Sequence, residues 1–103
     1  MIEDMAFAGS ALPQQTTAYT LRATHTFTPN RIRVMTGIEL VLESLTINGS
    51  EQMAVPVELE HFAPTRFPVT LLFEQVHRGD AVAIRLRNPT TEPVHFRFEL
   101  GHG

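Results

Sequence analysis

Histidine is the residue type in this chain of 103 residues with the clearest capacity for metal binding or acid–base chemistry. The five histidines are His25, His61, His77, His95 and His102. No pair has the short spacing of a chelate such as His-x-His or His-Glu-x-x-His. The chain has no cysteine, so it offers neither a thiolate ligand nor a cysteine nucleophile. We therefore expect scattered surface histidines, no metal site and no cofactor.

The acidic residues and the serines show no catalytic pattern. Glu58 and Glu60 would share one face of an extended strand, but alternating carboxylates on a strand are typical of a solvated face. No serine lies in a Gly-x-Ser-x-Gly elbow. Catalysis needs converging groups with shifted pKa values, and the spacing gives no sign of convergence. We expect that the protein is not an enzyme.

Composition limits the classes of partner. With 43% apolar and 18% charged residues, the chain is predicted to form one globular domain. Its net charge of −3 lacks the basic footprint of a nucleic-acid binder. No apolar run approaches the ~20 residues of a membrane span, and residues 1–5 lack the features of a secretory signal. We expect a cytoplasmic protein, or a virion protein if a phage encodes it.

The basic residues are of one type, because all eight are arginine. Arginine forms planar paired contacts and is enriched at protein interfaces. Codon bias in a GC-rich genome would give the same composition. The sequence therefore leaves both explanations open.

The clearest structural pattern lies in residues 76–100. Val82, Ile84 and Leu86 alternate with more polar residues, and after a turn-like stretch at 88–93 the alternation resumes through Phe96 and Phe98. Side chains alternate between the two faces of a strand. The pattern predicts a β-hairpin with Ile84, Leu86, Phe96 and Phe98 in the core. Its outer face would carry Arg85, Arg87, His95, Arg97 and Glu99.

The remaining segments also favour strands separated by turns. Strands are predicted at 16–28, 31–34 and 68–75, with a tight turn at Asn48-Gly49. The change of phase between Leu42 and Leu45 indicates either a bulge or a strand that bends between two sheets. Residues 56–62 could contain a short helical turn. Strands recurring about every ten residues indicate an all-β protein. We predict an antiparallel β-sandwich of six to eight strands, with a jelly-roll or Greek-key arrangement.

Residues 1–15 show no clear period, and they are interpreted as an extended N-terminal arm that precedes the β-sandwich domain at 16–103. The arm would anchor on a neighbouring subunit through Met5, Phe7 and Leu12. A frayed terminus is the alternative.

One framework within the chain resembles that of cupredoxins. It comprises Thr28-Pro29-Asn30-Arg31-Ile32-Arg33-Val34, Arg78-Gly79-Asp80-Ala81-Val82-Ala83-Ile84, and Asn88 before His95. In that family such a framework places the first copper histidine, and a later loop supplies a cysteine, a second histidine and usually a methionine. The absence of cysteine excludes a blue-copper site.

A second resemblance covers residues 30–101. The run Ile47-Asn48-Gly49-Ser50-Glu51-Gln52, the 56–62 segment, the Gly79-Asp80 turn and the 88–98 stretch are similar to cysteine-free jelly-roll proteins of tailed-phage virions, such as capsid decoration (cement) proteins. The resemblance implies a dimer or trimer that sits where capsomers meet. It also implies terminal arms that reach neighbouring subunits.

These observations lead to one principal hypothesis and one alternative. A small all-β domain without disulfides must protect its edge strands, and symmetric assembly is one way to do so. We expect a non-enzymatic structural protein whose partners are copies of itself and a capsid protein. Assembly would use Met5, Phe7 and Leu12 of the arm together with Arg85, Arg87 and Arg97. The alternative is a β-sandwich binding module for a carbohydrate, a peptide or a copper ion held without cysteine.

Overall fold

The computed structural model of the protein describes residues 1–103 and contains eight β-strands and one short 3-10 helix. The strands are β1 (Ile2–Ala11), β2 (Thr16–Arg22), β3 (Arg31–Thr36), β4 (Val41–Ile47), β5 (Ser50–Glu51), β6 (Val57–Glu58), β7 (Ala81–Arg87) and β8 (Val94–His102). The 3-10 helix spans Leu59–Phe62. No helical segment has the length and apolar character that a membrane crossing requires.

The strands form two antiparallel sheets. The first has the order β1-β8-β3, and the second has the order β2-β7-β4-β5, with β6 also paired to β4. Successive strands from β1 to β4 alternate between the two sheets. Strand β7 lies in the second sheet and β8 in the first. This alternation is the jelly-roll arrangement of two facing sheets. The predicted all-β sandwich is confirmed.

The core lies between the two central strands, β7 and β8. Ile84 and Leu86 of β7 and Phe96 and Phe98 of β8 are all buried, as predicted. The Phe98 ring meets the ring of Phe7 edge to face, with 5.9 Å between centroids. Such aromatic pairs add to the stability that burial alone provides.

The predicted C-terminal hairpin was wrong. Strand β7 pairs with β2 and β4, whereas β8 pairs with β1 and β3, so residues 88–93 carry the chain from one sheet to the other. Asn88 is fully buried at this crossing. The side-chain nitrogen of Asn88 donates to the backbone carbonyls of Ala11 and Glu92, and its side-chain oxygen accepts from the backbone amide of Thr90. These contacts hold a wide arch where the pattern had indicated a hairpin.

The N-terminal segment differs from the predicted arm, because residues 2–11 form β1 in the protein's own first sheet. Met5 and Phe7 are only 8% and 2% exposed, and Ala11 is buried beside them. They occupy alternate positions of the strand, and Gly9 interrupts the series with no side chain. The buried residues of β1 therefore alternate as in other strands, but the small residues Gly9 and Ala11 make the alternation hard to recognise in the sequence.

Three local predictions are confirmed. Asn48 and Gly49 adopt φ values of 49° and 81°, which closes the β4–β5 hairpin. The register between β4 and β7 shifts between Leu42 and Ser44, where the bulge was expected. The predicted helical turn is the 3-10 helix at Leu59–Phe62.

Two strand predictions differ from the structure. The predicted strand at 16–28 was too long, because it ends at Arg22 as β2. The predicted strand at 68–75 was wrong, because these residues form no ladder, although the Leu71 amide donates to the carbonyl of Asn30 at 2.8 Å. Phe27 and Val76 make an isolated antiparallel bridge just beyond. Residues 67–76, here called the covering segment, thus run beside the start of β3 without joining its sheet.

Candidate assembly interface

The two sides of the sandwich differ in how their sheet edges are protected. On one side, here called the covered side, the 3-10 helix packs beside β3, and the covering segment follows residues 27–30. On the other side β1 and β2 border the two sheets, and neither has a further strand or helix against its outer edge. We call β1 and β2 together the open edge.

The backbone of β2 presents unpaired hydrogen-bonding groups along this edge. The Ala23 amide donates to the carbonyl of Asp80, and the carbonyl of Gln15 accepts from the amide of Asn88, both at 2.9 Å. The register from Thr16 to Arg22 contains no shift. Because bonding alternates along an antiparallel pair, the odd-numbered residues bond to β7. Thr16, Ala18 and Thr20 therefore direct their amide and carbonyl groups away from the sheet.

The open edge lacks most of the features that prevent edge-to-edge pairing. Natural edge strands are guarded by lysine, proline, bulges or inward charges. Strand β2 has the sequence Thr-Thr-Ala-Tyr-Thr-Leu-Arg, with no proline and no charge before Arg22. In β1 the charges at Glu3 and Asp4 and the adjacent bulge guard only the first residues. The stretch from Met5 to Ala11 is uncharged and regular.

Tyr19 holds the two strands of the open edge in a fixed relation. Its ring packs on Phe96 with 4.8 Å between centroids. Its hydroxyl donates to the carbonyl of Ser10 in β1 at 3.2 Å. The edge is therefore an ordered surface. Leu12, in the turn between the strands, is 52% exposed and is the one predicted anchor that points to solvent.

The three predicted interface arginines do not share a face. Arg85 and Arg87 lie on β7 in the second sheet, whereas Arg97 lies on β8 in the first. Their exposed side chains therefore lie on opposite outer faces of the sandwich. Arg87 is paired with Glu43, and Arg85 forms no ion pair. The prediction that Arg85, Arg87 and Arg97 share one outer face was wrong, because it required β7 and β8 to pair as a hairpin.

Arg97 belongs to an ion-pair network on the outer face of the first sheet. Glu99 is almost fully buried and accepts hydrogen bonds from Nε of Arg33 and from Nε of Arg97. Arg97 also donates to Glu3 of β1 at 2.7 Å. Burial raises the pKa of Glu99, but the hydrogen bonds from Arg33 and Arg97 outweigh it and hold that pKa below its ordinary value. The network links all three strands of the sheet.

The fold also brings together two histidines that the sequence pattern left apart. The side chain of Asp4 is 4% exposed and contacts Nε2 of His25 at 2.7 Å and Nδ1 of His102 at 2.6 Å. No spacing in the sequence could indicate this contact between both ends of the chain and the β2–β3 connection. His61, His77 and His95 are exposed and separate. No group of three or more histidine or acidic side chains is placed to hold a metal ion.

The chain matches no protein-family model, no curated protein and no solved structure. The most distinctive feature of the molecule is the contrast between the open edge and the covered side.

Proposed function

We propose that the protein is a non-enzymatic structural protein that self-associates through its open edge and stabilises a larger assembly. The observation that carries this proposal is the unguarded backbone of β2 beside the regular half of β1. A strand from another molecule would satisfy the outward groups of Thr16, Ala18 and Thr20 and extend the second sheet. The absence of guarding features is easiest to reconcile with a native partner at this edge.

A second copy of the chain is the partner that best fits this edge. Two identical β2 strands can pair antiparallel about a two-fold axis, which gives a closed dimer with the same surface on both subunits. Such pairing would continue the second sheet from one subunit into the other. Leu12 precedes β2 and Leu21 lies within it; they are 52% and 40% exposed and would add apolar contacts.

The larger assembly follows from the resemblance to capsid decoration proteins. Residues 1–15 would contribute through the edge of β1 and through Leu12, because Met5 and Phe7 are occupied in the core. Arg85 on the second sheet forms no ion pair and would contact a capsid protein; Arg87 and Arg97 are exposed but already paired, and would contribute through their remaining N–H donors. The proposal thus retains the predicted partners and changes the surface that joins the copies.

The solution mass tests self-association. Size-exclusion chromatography with light scattering should be run at two protein concentrations and two salt concentrations. We expect a dimer whose mass is unchanged by added salt, because backbone hydrogen bonds and apolar contacts are screened far less than surface charges. A trimer would preserve the structural role but contradict two-fold pairing of β2. A monomer under every condition would contradict the proposal.

A further inference from the structure

A cavity lies on the covered side of the molecule, away from the open edge. It has a volume of about 350 Å³ and is bordered by the start of β3, the 3-10 helix and residues 63–69. Ligand pockets in proteins begin at about this size. The cavity takes no part in the self-association proposed above, so its role requires a separate explanation.

The cavity is lined by several basic side chains although the protein carries a net charge of −3. Arg31, Arg33, Arg66 and His61 all line it. No aspartate or glutamate is among its lining residues. Three of the eight arginines thus line one small volume; Arg33 is paired with Glu99 and Arg66 with Glu60, whereas Arg31 has no ion-pair partner. A concave positive surface concentrates anions.

The guanidinium groups keep most of their hydrogen-bond donors unused. Arg31 is half-buried and makes no side-chain hydrogen bond or ion pair. Arg33 uses its Nε for Glu99, and Arg66 uses one terminal nitrogen for Glu60 at 2.8 Å. Each guanidinium has five N–H donors. The site therefore has a substantial unfilled capacity to bind oxyanions.

The rest of the cavity wall is apolar. Phe62 is buried at the wall, whereas Phe67 lines the cavity and is 94% exposed. Pro64, Pro68 and Val69 lie beside it. A phenylalanine this exposed contacts little of its own chain, so it is available to cover the apolar part of a bound molecule. Charged and apolar surfaces thus meet in one pocket.

We propose that this cavity binds a small organic anion, with a phosphate or carboxylate group attached to an aromatic or aliphatic body. Arg31 and Arg33 hold the anionic group, because a planar guanidinium matches the oxygen spacing of both groups. Arg66 lines the same cavity and keeps N–H donors that its contact with Glu60 does not use. Phe62 and Phe67 contact the body of the ligand. This assigns to the covered side a binding role distinct from assembly.

Isothermal titration calorimetry with four probes tests the ligand class. The probes are phenyl phosphate, benzoate, inorganic phosphate and uncharged phenol. We expect phenyl phosphate or benzoate to bind at least about tenfold more tightly than inorganic phosphate and phenol, and the better of the two identifies the anionic group. Failure of every anion to bind at millimolar concentration would overturn the proposal. Phenol binding as tightly as the aryl anions would also overturn it.

Two arginine variants separate a specific site from general charge attraction. Arg31→Gln should weaken aryl-anion binding at least about tenfold, since it removes a charged group that donates to the anion. Arg85→Gln is the matched control, because Arg85 is exposed, forms no ion pair and lies on the other sheet. It should leave the affinity unchanged. Equal losses in the two variants would show that only net charge matters and would refute the site.

A third variant tests the apolar contact. Phe67→Ala should weaken the binding of the aryl anion while leaving inorganic phosphate unaffected. Phe67 is almost wholly exposed, so this change should not disturb folding. An unchanged affinity for the aryl anion would contradict the assigned role of Phe67. None of these results depends on the oligomeric state.

Discussion

The two outer strands of the first sheet, β1 and β3, flank the same central strand but have different surroundings. Beside β3 lie the 3-10 helix and the covering segment. The helix contributes the buried residues Leu59 and Phe62, and the covering segment contributes the buried residue Val76. Beside β1 lies only β2, whose outer side is also unpaired. The chain therefore uses residues 57–76 to close one side of the sandwich and nothing to close the other.

A small jelly roll has two sides at which backbone groups are left over, and solubility favours covering both. Covering one side with a long connection shows that the fold can accommodate such protection. We propose that a partner supplies the missing strand on the opposite side.

The largest expected effect contrasts a leucine from each side. Leu59→Ala should lower the free energy of unfolding by about 2–5 kcal/mol, because Leu59 is a fully buried residue of the 3-10 helix. Leu21→Ala in β2 should change it by less than Leu59→Ala does, because Leu21 is 40% exposed. Urea denaturation at a protein concentration that keeps the chain monomeric measures both. Equal losses would show that the two sides do not differ in packing.

A pair of proline variants tests the direction of the backbone groups in β2. Ala18→Pro removes an amide that points outward, so the internal ladder should survive while pairing with another copy is blocked. Thr17→Pro removes an amide that bonds to β7 and should lower the free energy of unfolding by at least about 1–3 kcal/mol. Light scattering and thermal unfolding of both variants provide the measurements.

The expected result of this pair is a folded monomer for Ala18→Pro and a destabilised protein for Thr17→Pro. If Ala18→Pro kept the oligomeric mass of the unmodified protein, β2 could not be the pairing strand. If both variants unfolded alike, the alternation inferred from Ala23 and Gln15 would be incorrect.

A smaller effect is expected from the ion-pair network that joins both edges to β8. Glu99→Gln should lower the free energy of unfolding by about 1–2 kcal/mol, because Arg33 and Arg97 lose a buried charged acceptor. Glu3→Gln is the comparison at the open edge. Glu3 is more exposed and bonds only to Arg97, so the loss should be less than about 0.5 kcal/mol.

The network also predicts a pH dependence. The folded pKa of Glu99 lies below its ordinary value of 4.5, so its contribution is complete above that pH. The contribution is lost as the pH falls below 4.5 through the folded pKa. The stability difference between the unmodified protein and Glu99→Gln should therefore shrink on acidification. A difference that stayed constant down to pH 2 would contradict the lowered pKa.

Much of the fold could be predicted from the sequence, because period-two alternation marks the strands directly. The alternation correctly predicts four core residues, Ile84, Leu86, Phe96 and Phe98. The Asn48-Gly49 pair correctly predicts the tight turn. Strand pairing was harder, since alternation is the same in a hairpin and in an arch between sheets. The six-residue connection with a buried Asn88 was the available signal, being longer than a two-residue hairpin turn.

The candidate sites were less accessible to prediction. The open edge is defined by which strands are outermost, and that order depends on pairings distant in sequence. Asp4, His25 and His102 meet only because β1 pairs with β8 and the β2–β3 connection passes beside them. Likewise, Arg31 and Arg66 line one cavity although many residues separate them. None of these contacts follows from local spacing.

We propose that β2 pairs with another copy of the protein through its outward backbone groups. Amide hydrogen exchange of β2, followed by NMR at low and high protein concentration, tests this pairing. We expect Thr16, Ala18 and Thr20 to exchange rapidly in dilute protein and to become protected as the concentration rises. Thr17, Tyr19 and Leu21 should be protected throughout, because they bond to β7. Rapid exchange at Ala18 and Thr20 in a sample that light scattering shows to be oligomeric would contradict the claim.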